Sequence, residues 1–374
     1  MSILRYCKRC LFPDTKPDLF FDDEGVCDAC MSAGKKYNTE KGINWENRAK
    51  EFKEIINKYR SKDGMWYDCI VAVSGGKDST FLVYVMKHVH KMNPLAVTFH
   101  QFDQTPTGVH NLEVLKNLGV DHIHFTLNPK TSKKLVEKGF KIVGDSHWVS
   151  HVGIFTVPAR IAVNFNIPLI IWGENSQFEY GGPASDRERK VLDKRWRQEF
   201  SGMRGFREED MVDEDLPMSD LKILIYPSDE EIQRVGVTGL FYGYFFKWDT
   251  QENVEISKKF GWKSLPEPCP GSWFDYENCD TEFQDLHDHL KWLKYGFGRT
   301  TDHVNMYIRK GLISREEGAK IVRELDGKFG HKKEFCEYIG LSEKEFDRIR
   351  DGFVNKDIFE KNDEGEWVLK EPPY

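Results

Sequence analysis

Three groups of residues have the types and spacing that chemistry needs. The first is Ser74-Gly75-Gly76-Lys77-Asp78-Ser79, which ends the apolar run Cys69–Val73. Two glycines allow positive φ and let bare backbone approach a ligand. Successive amides at the start of a following helix form a nest suited to phosphate. Ser74 and Ser79 add hydroxyl donors and Lys77 a positive charge. Asp78 is the odd member beside an anion; it fits as a helix cap or as a ligand to Mg²⁺. The spacing is not that of a Walker A loop. The plainer alternative is a glycine turn without a ligand. The coincidence of strand, Ser-Gly-Gly, Lys-Asp-Ser and helix favours a phosphate site.

The second group is Cys7, Cys10, Cys27 and Cys30, two CxxC knuckles within the first 30 residues. Four thiolates at this spacing suit a closed, structural Zn²⁺ site, with an iron–sulfur cluster or free thiols as alternatives. Cys69, Cys269, Cys279 and Cys336 are scattered. A small loop-rich module needs such a staple.

The third group is dispersed. "WGENSQFEYGG" places Gly173, Glu174 and Asn175 just after an apolar run. Glu174 suits Mg²⁺ or a sugar hydroxyl; a polar loop capped by Asn175 is the alternative. "KYGFGRTTDH" offers Lys294 and Arg299 near a glycine-rich break, able to clamp a carboxylate or phosphate, or to complement a helix end. Arg309 is a weaker candidate of the same kind. His147 and His151 share a helix face, where packing or a substrate contact is the leading reading over a metal. His100 stands at a strand end. The run Arg187–Arg197, mixed with acids, reads as a solvated helix or, secondarily, a lid.

Elements must bring these groups together. "CIVAV", "PLAVTF", "DHIHFTL" and "IPLIIWG" read as buried strands and "LKILIYP" as a fifth, with helical segments between them. This predicts an α/β fold with a parallel five-stranded doubly wound sheet, whose ligands lie beyond the carboxyl ends of the strands. The expected units are 1–40, a zinc-binding module; 41–65, a connecting helix; 66–235, the sheet domain; and 236–374, a helical C-terminal domain. In the last, Ser314/Glu317 and Ser342/Glu345 have capping-box spacing. The net charge of −7 disfavours general nucleic-acid binding. No apolar stretch suits a membrane span, and the first residues lack a signal-peptide layout. A cytoplasmic protein is expected.

S-G-G-x-D-S after a first buried strand resembles the PP-loop ATP pyrophosphatases, a superfamily with a HUP-like sheet that includes GMP synthetase, NAD synthetase, asparagine synthetase and tRNA thiolases. The resemblance implies ATP cleavage between the α- and β-phosphates, with Ser74, Gly75, Gly76, Lys77, Asp78 and Ser79 on the pyrophosphate portion. Fold position puts Thr98 to His100 near the adenosine. The cysteine knuckles, this loop, "SHVGIFTVPARIAVNFNIPLIIWGENS" and "LKYGFGRTTDHVNMYIRKGLISREEG" together resemble the N-acetyl sugar amidotransferases of bacterial surface-glycan pathways. That resemblance covers nearly the whole chain. It implies conversion of a sugar acetamido group to acetamidino through an O-adenylated intermediate. Lys77, Asp78 and Glu174 are the catalytic candidates; Asn175, Lys294 and Arg299 are the substrate-binding ones. Position 2 is Ser, and Cys269 lacks a nucleophile turn. A separate glutaminase subunit is therefore expected to supply ammonia. A tRNA thiolase is the alternative, and a non-catalytic nucleotide-binding scaffold a third reading.

Overall fold

The computed structural model describes residues 4–37, 42–100 and 102–374. Position 2 and the expected boundary between 40 and 41 lie outside them. Six strands form the main sheet: β1 (Cys69–Ala72), β2 (Pro94–Phe99), β3 (Asp121–Phe125), β4 (Leu169–Trp172), β5 (Val191–Leu192) and β6 (Thr238–Phe241). Their order is β3-β2-β1-β4-β6-β5. All neighbouring pairs are parallel except β5 with β6.

Successive residues of one strand serve opposite cores. Ile70, Leu95, Val97, Phe99 and Ile170 pack on one face, while Cys69, Val71, Ala96, Leu169 and Ile171 pack on the other. Both faces are thus covered, which is why these strands read as continuous apolar runs.

The expected fifth strand is corrected. Leu221–Pro227 forms a turn, with Leu221 and Leu224 both fully buried and the Leu224 amide donating to the Leu221 carbonyl at 2.8 Å. The Ile225 and Tyr226 carbonyls accept from the Arg160 guanidinium rather than from a strand. The fifth parallel strand is β6, so the sheet passes the expected limit at 235. β6 is short and contains Gly239, where a Cβ would lie 2.7 Å from Trp172 Nε1. The sixth strand, β5, comes from inside the basic run.

That run is not a solvated helix. Arg187 pairs with Asp28, Lys190 with Glu51, and Arg195 with Asp186. Arg197 is buried on Glu208. Charge pairing ties this segment down as an edge strand and the short helix Lys194–Phe200.

The helix Trp148–Asn164 continues through Pro158. Proline has no amide hydrogen, so the Ile154 carbonyl loses its intrahelical donor. The C-terminal region is helical, and both expected capping boxes are present. It also grips the cysteine module. Arg315 Nε donates to the Cys10 carbonyl at 3.1 Å, and Asn305 Oδ1 accepts from the Leu11 amide at 2.7 Å. Among the described residues no helix is long and apolar enough to cross a membrane.

Candidate functional site

The Ser74–Ser79 loop leaves β1 and enters the helix Lys77–Tyr84. Gly75 has φ +92°, and a Cβ there would lie 3.0 Å from the Gly108 carbonyl oxygen. Only glycine meets both demands. Ser79 Oγ accepts from the Ser74 amide at 3.3 Å, and Ser74 Oγ from the Gly76 amide at 3.2 Å. The first-turn amides of the helix have no intrahelical acceptor.

A later segment fastens this loop. Trp262 Nε1 donates to the Gly75 carbonyl at 2.9 Å, and Ser257 Oγ to the Lys77 carbonyl at 2.9 Å. Asn253 Nδ2 donates to Asp78 Oδ1 at 2.6 Å. The last two residues lie on the helix Thr250–Lys258, packed along the loop helix.

Lys77 is buried and reaches Asp78 Oδ2 at 2.9 Å and Glu277 Oε1 at 2.6 Å. Burial works against its charge, but Asp78 and Glu277 outweigh it and hold the ammonium above its ordinary range. Glu277 also accepts from Arg299 at 2.8 Å and lies 3.4 Å from His303 Nε2. Burial opposes its ionisation, yet Lys77, His303 and Arg299 keep its carboxyl well below the usual range. Glu174 has the opposite balance. Burial, then the charge of Asp78, raises its carboxyl to about 7.

Two cavities meet here. One, of about 370 Å³, lies over the loop and is lined by Ser74, Lys77, Asp78, Val97, Phe99 and Asp280 among others. Its neighbour, of about 880 Å³, is lined by His151, Gln177, Trp196, Arg204 and Lys291 among others. Ile154, Phe155, Trp172, Gly173, Glu174 and Arg299 line both. The helix Lys194–Phe200 thus serves as a wall of the larger cavity.

The structure brings Ser74, Gly76, Lys77, Asp78, Ser79, Gly173, Glu174 and Arg299 to one place, and Gly75 shapes the turn beneath them. It does not bring the others. The Thr98 side chain contacts His122 at 2.8 Å, because alternation along β2 gives the cavity face to Val97 and Phe99. His100 pairs with His124 at 3.0 Å, outside both linings. Asn175 is buried: it caps the helix Ser176–Tyr180 and donates to the Asp186 carbonyl at 2.8 Å. Its amide is spent on holding the 184–189 turn. Lys294 donates to the Val143 and Gly144 carbonyls at 3.0 and 2.7 Å. Burial lowers its ammonium to about 8. Arg309 donates to the Glu179 carbonyl and to Cys10 Sγ.

The four N-terminal cysteines are buried, with Cys7–Cys30 and Cys10–Cys27 sulfurs 3.9 and 3.6 Å apart. Metal–sulfur bonds of ~2.3 Å in a tetrahedron demand a sulfur–sulfur edge of about 3.8 Å. The set fits a structural zinc ion, with Arg309 offsetting the thiolate charge.

Glu277, Asp280 and His303 escaped the sequence reading. They lie in "WFDYENCD" and on the helix Arg299–Arg309, with no spacing that signals a site.

Residues 271–372 match the family model described as "LPS biosynthesis protein WbpG-like, C-terminal domain". Over this stretch the chain is similar to that family, in keeping with the surface-glycan resemblance. The uncharacterized protein MJ1599 of Methanocaldococcus jannaschii is 32% identical over 117 residues, 31% of this chain and 40% of that relative. The chain thus spans less than half the length of the curated relative it matches. Among solved structures, the NMN synthetase from Francisella tularensis and the NH₃-dependent NAD synthetase from Campylobacter jejuni subsp. jejuni are similar at 12% identity. Each match covers 60% of this chain and 99% of the other, with a TM-score of 0.28. Overlaps of that extent decide neither fold nor function.

Proposed function

We propose that the chain is an ATP-dependent amidotransferase that converts the acetamido group of an N-acetylated sugar, nucleotide-linked or free, to an acetamidino group. The observation that carries this reading is the junction of the two cavities at Glu174 and Arg299. One is floored by a glycine-turn phosphate nest. The other has room for a sugar, and the shared wall lets an acetamido oxygen approach the nucleotide. An acetamido oxygen is a poor leaving group. Adenylation converts it into departing AMP, and ammonia from a partner glutaminase subunit then forms the new C–N bond. The loop amides, Lys77 and the hydroxyls of Ser74 and Ser79 would hold the outer phosphates. Asp78 and Glu174 supply carboxylate oxygens suited to Mg²⁺, which when bound draws charge from the leaving pyrophosphate. Arg299, fixed by Glu277, directs a planar cation at the junction. On this reading the protein works in the cytoplasm.

The thiolase alternative has one observation in its favour: Cys279 lines the smaller cavity. Burial raises that thiol to about 12, however, so it is protonated and a poor sulfur carrier at neutral pH.

The test is to incubate the protein with Mg-ATP, ammonia and a panel of N-acetylated sugars. The expected result is AMP and pyrophosphate together with a sugar product about 1 Da lighter, from replacement of O by NH. Release of ADP, or of AMP at the same rate from Asp78→Ala, would overturn the assignment.

A further inference from the structure

The wall of the larger cavity contains a group of residues that the amidotransferase reading does not use. His151 and His287 converge there on one buried carboxylate, Asp145. The three come from different elements: the turn after Val143, the first turn of the helix Trp148–Asn164, and the helix Gln284–Tyr295. His287 Nδ1 lies 2.8 Å from Asp145 Oδ1, and His151 Nδ1 lies 3.5 Å from Asp145 Oδ2. All three ligand atoms fall within 4.8 Å of one another. The His147 amide donates to Asp145 Oδ1 at 2.8 Å and so orients the carboxylate, as outer partners of metal ligands do.

His151 Nδ1 is a buried atom whose polar neighbour among the described residues is Asp145 Oδ2 at 3.5 Å, too loose to count as a hydrogen bond. A buried nitrogen so weakly paired is costly. The residue facing it is Gly202, at φ +88°, where a Cβ would sit 2.7 Å from that nitrogen. Gly202 therefore packs closely on the His151 ring, where no larger residue would fit.

We propose that Asp145, His151 and His287 bind a zinc-class divalent ion whose open position faces the larger cavity. Two imidazoles and one carboxylate suit zinc or ferrous iron rather than magnesium or calcium. Three protein ligands with a vacant fourth position is the arrangement of zinc sites that engage a substrate, whereas the four cysteines close theirs. The proposal is independent of the ATP chemistry, so either can fail alone.

The test uses cobalt(II) as the probe ion on the full-length protein. Elemental analysis should find two ions per chain. The cysteine-bound ion gives intense sulfur-to-metal charge-transfer absorption; the second ion adds only weak ligand-field bands. His151→Ala should lower the content to one ion and leave the charge-transfer band intact. His287→Ala should do the same, with thermal melting to establish that each variant is folded. His287 is the more enclosed of the two, so His151→Ala decides if His287→Ala does not fold. One ion per chain in the wild type, or two ions retained by His151→Ala, overturns the proposal and leaves the trio as a histidine–carboxylate hydrogen-bond cluster.

Discussion

One wall of the smaller cavity is a single loop, Ser74 and Gly76–Ser79, with Gly75 shaping its turn; another, Glu277, Asp280 and Arg299, comes from much later in the chain. The first presents mainly backbone, held by a glycine at positive φ and two serine hydroxyls. In the second, Glu277 and Arg299 are side chains fixed by opposite charges. A backbone nest can be specified locally because adjacent amides point together once the turn forms. A buried charge network needs tertiary packing first, since each member is costly until its partners arrive.

If the far wall is a true charge network, its central carboxylate should be the most sensitive position. Glu277→Ala leaves the buried Lys77 and the partly buried Arg299 without their shared partner. It should cost about 3–5 kcal/mol in urea or thermal unfolding. A loss no larger than that of a surface substitution would reduce this wall to packing. The local wall should respond through its backbone instead. Gly75→Ala forces a side chain into positive φ and against the Gly108 carbonyl. A cost of about 1–3 kcal/mol is expected, together with weakened binding of an ATP analogue in a titration.

The smallest effect belongs to the junction. Glu174 has its carboxyl raised from 4.5 to about 7 in the fold. The folded state therefore holds a proton that the unfolded state releases between those values. The associated stability is present below about 4.5 and is lost as pH rises through about 7. Glu174→Gln keeps the neutral shape, so its melting temperature should exceed that of the wild type at pH 8, with the gap closing toward pH 5. Partial exposure discounts the effect to about 1–2 kcal/mol. Parallel pH profiles for the two proteins would remove the raised carboxyl from the account.

The contrast also explains what could be read from the chain alone. The four central strands, the loop, the knuckles and the capping boxes are local patterns of burial, turn chemistry and spacing, and they were legible. Thr98, His100, Asn175 and Lys294 were placed by proximity along the sequence to a strand end or a helix break. Each turned elsewhere because a nearer partner claimed it: His122, His124, the 184–189 carbonyls, and the carbonyls of Val143 and Gly144. Glu277 was invisible for the opposite reason, because its partners at 77, 299 and 303 are adjacent only after folding. β6 was hidden by its brevity and by a glycine that the Trp172 indole requires.

The bonds from Asn253, Ser257 and Trp262 to the loop have a consequence for cutting the molecule apart. A fragment ending after β6 would retain every residue of the main sheet and the whole glycine turn, yet lose the three anchors that fix its shape. Shuffling or truncation that respects the visible architecture would thus dismantle the cavity over the loop. The smallest unit that keeps the loop's shape extends at least to Trp262, well into what looks like a separate helical half.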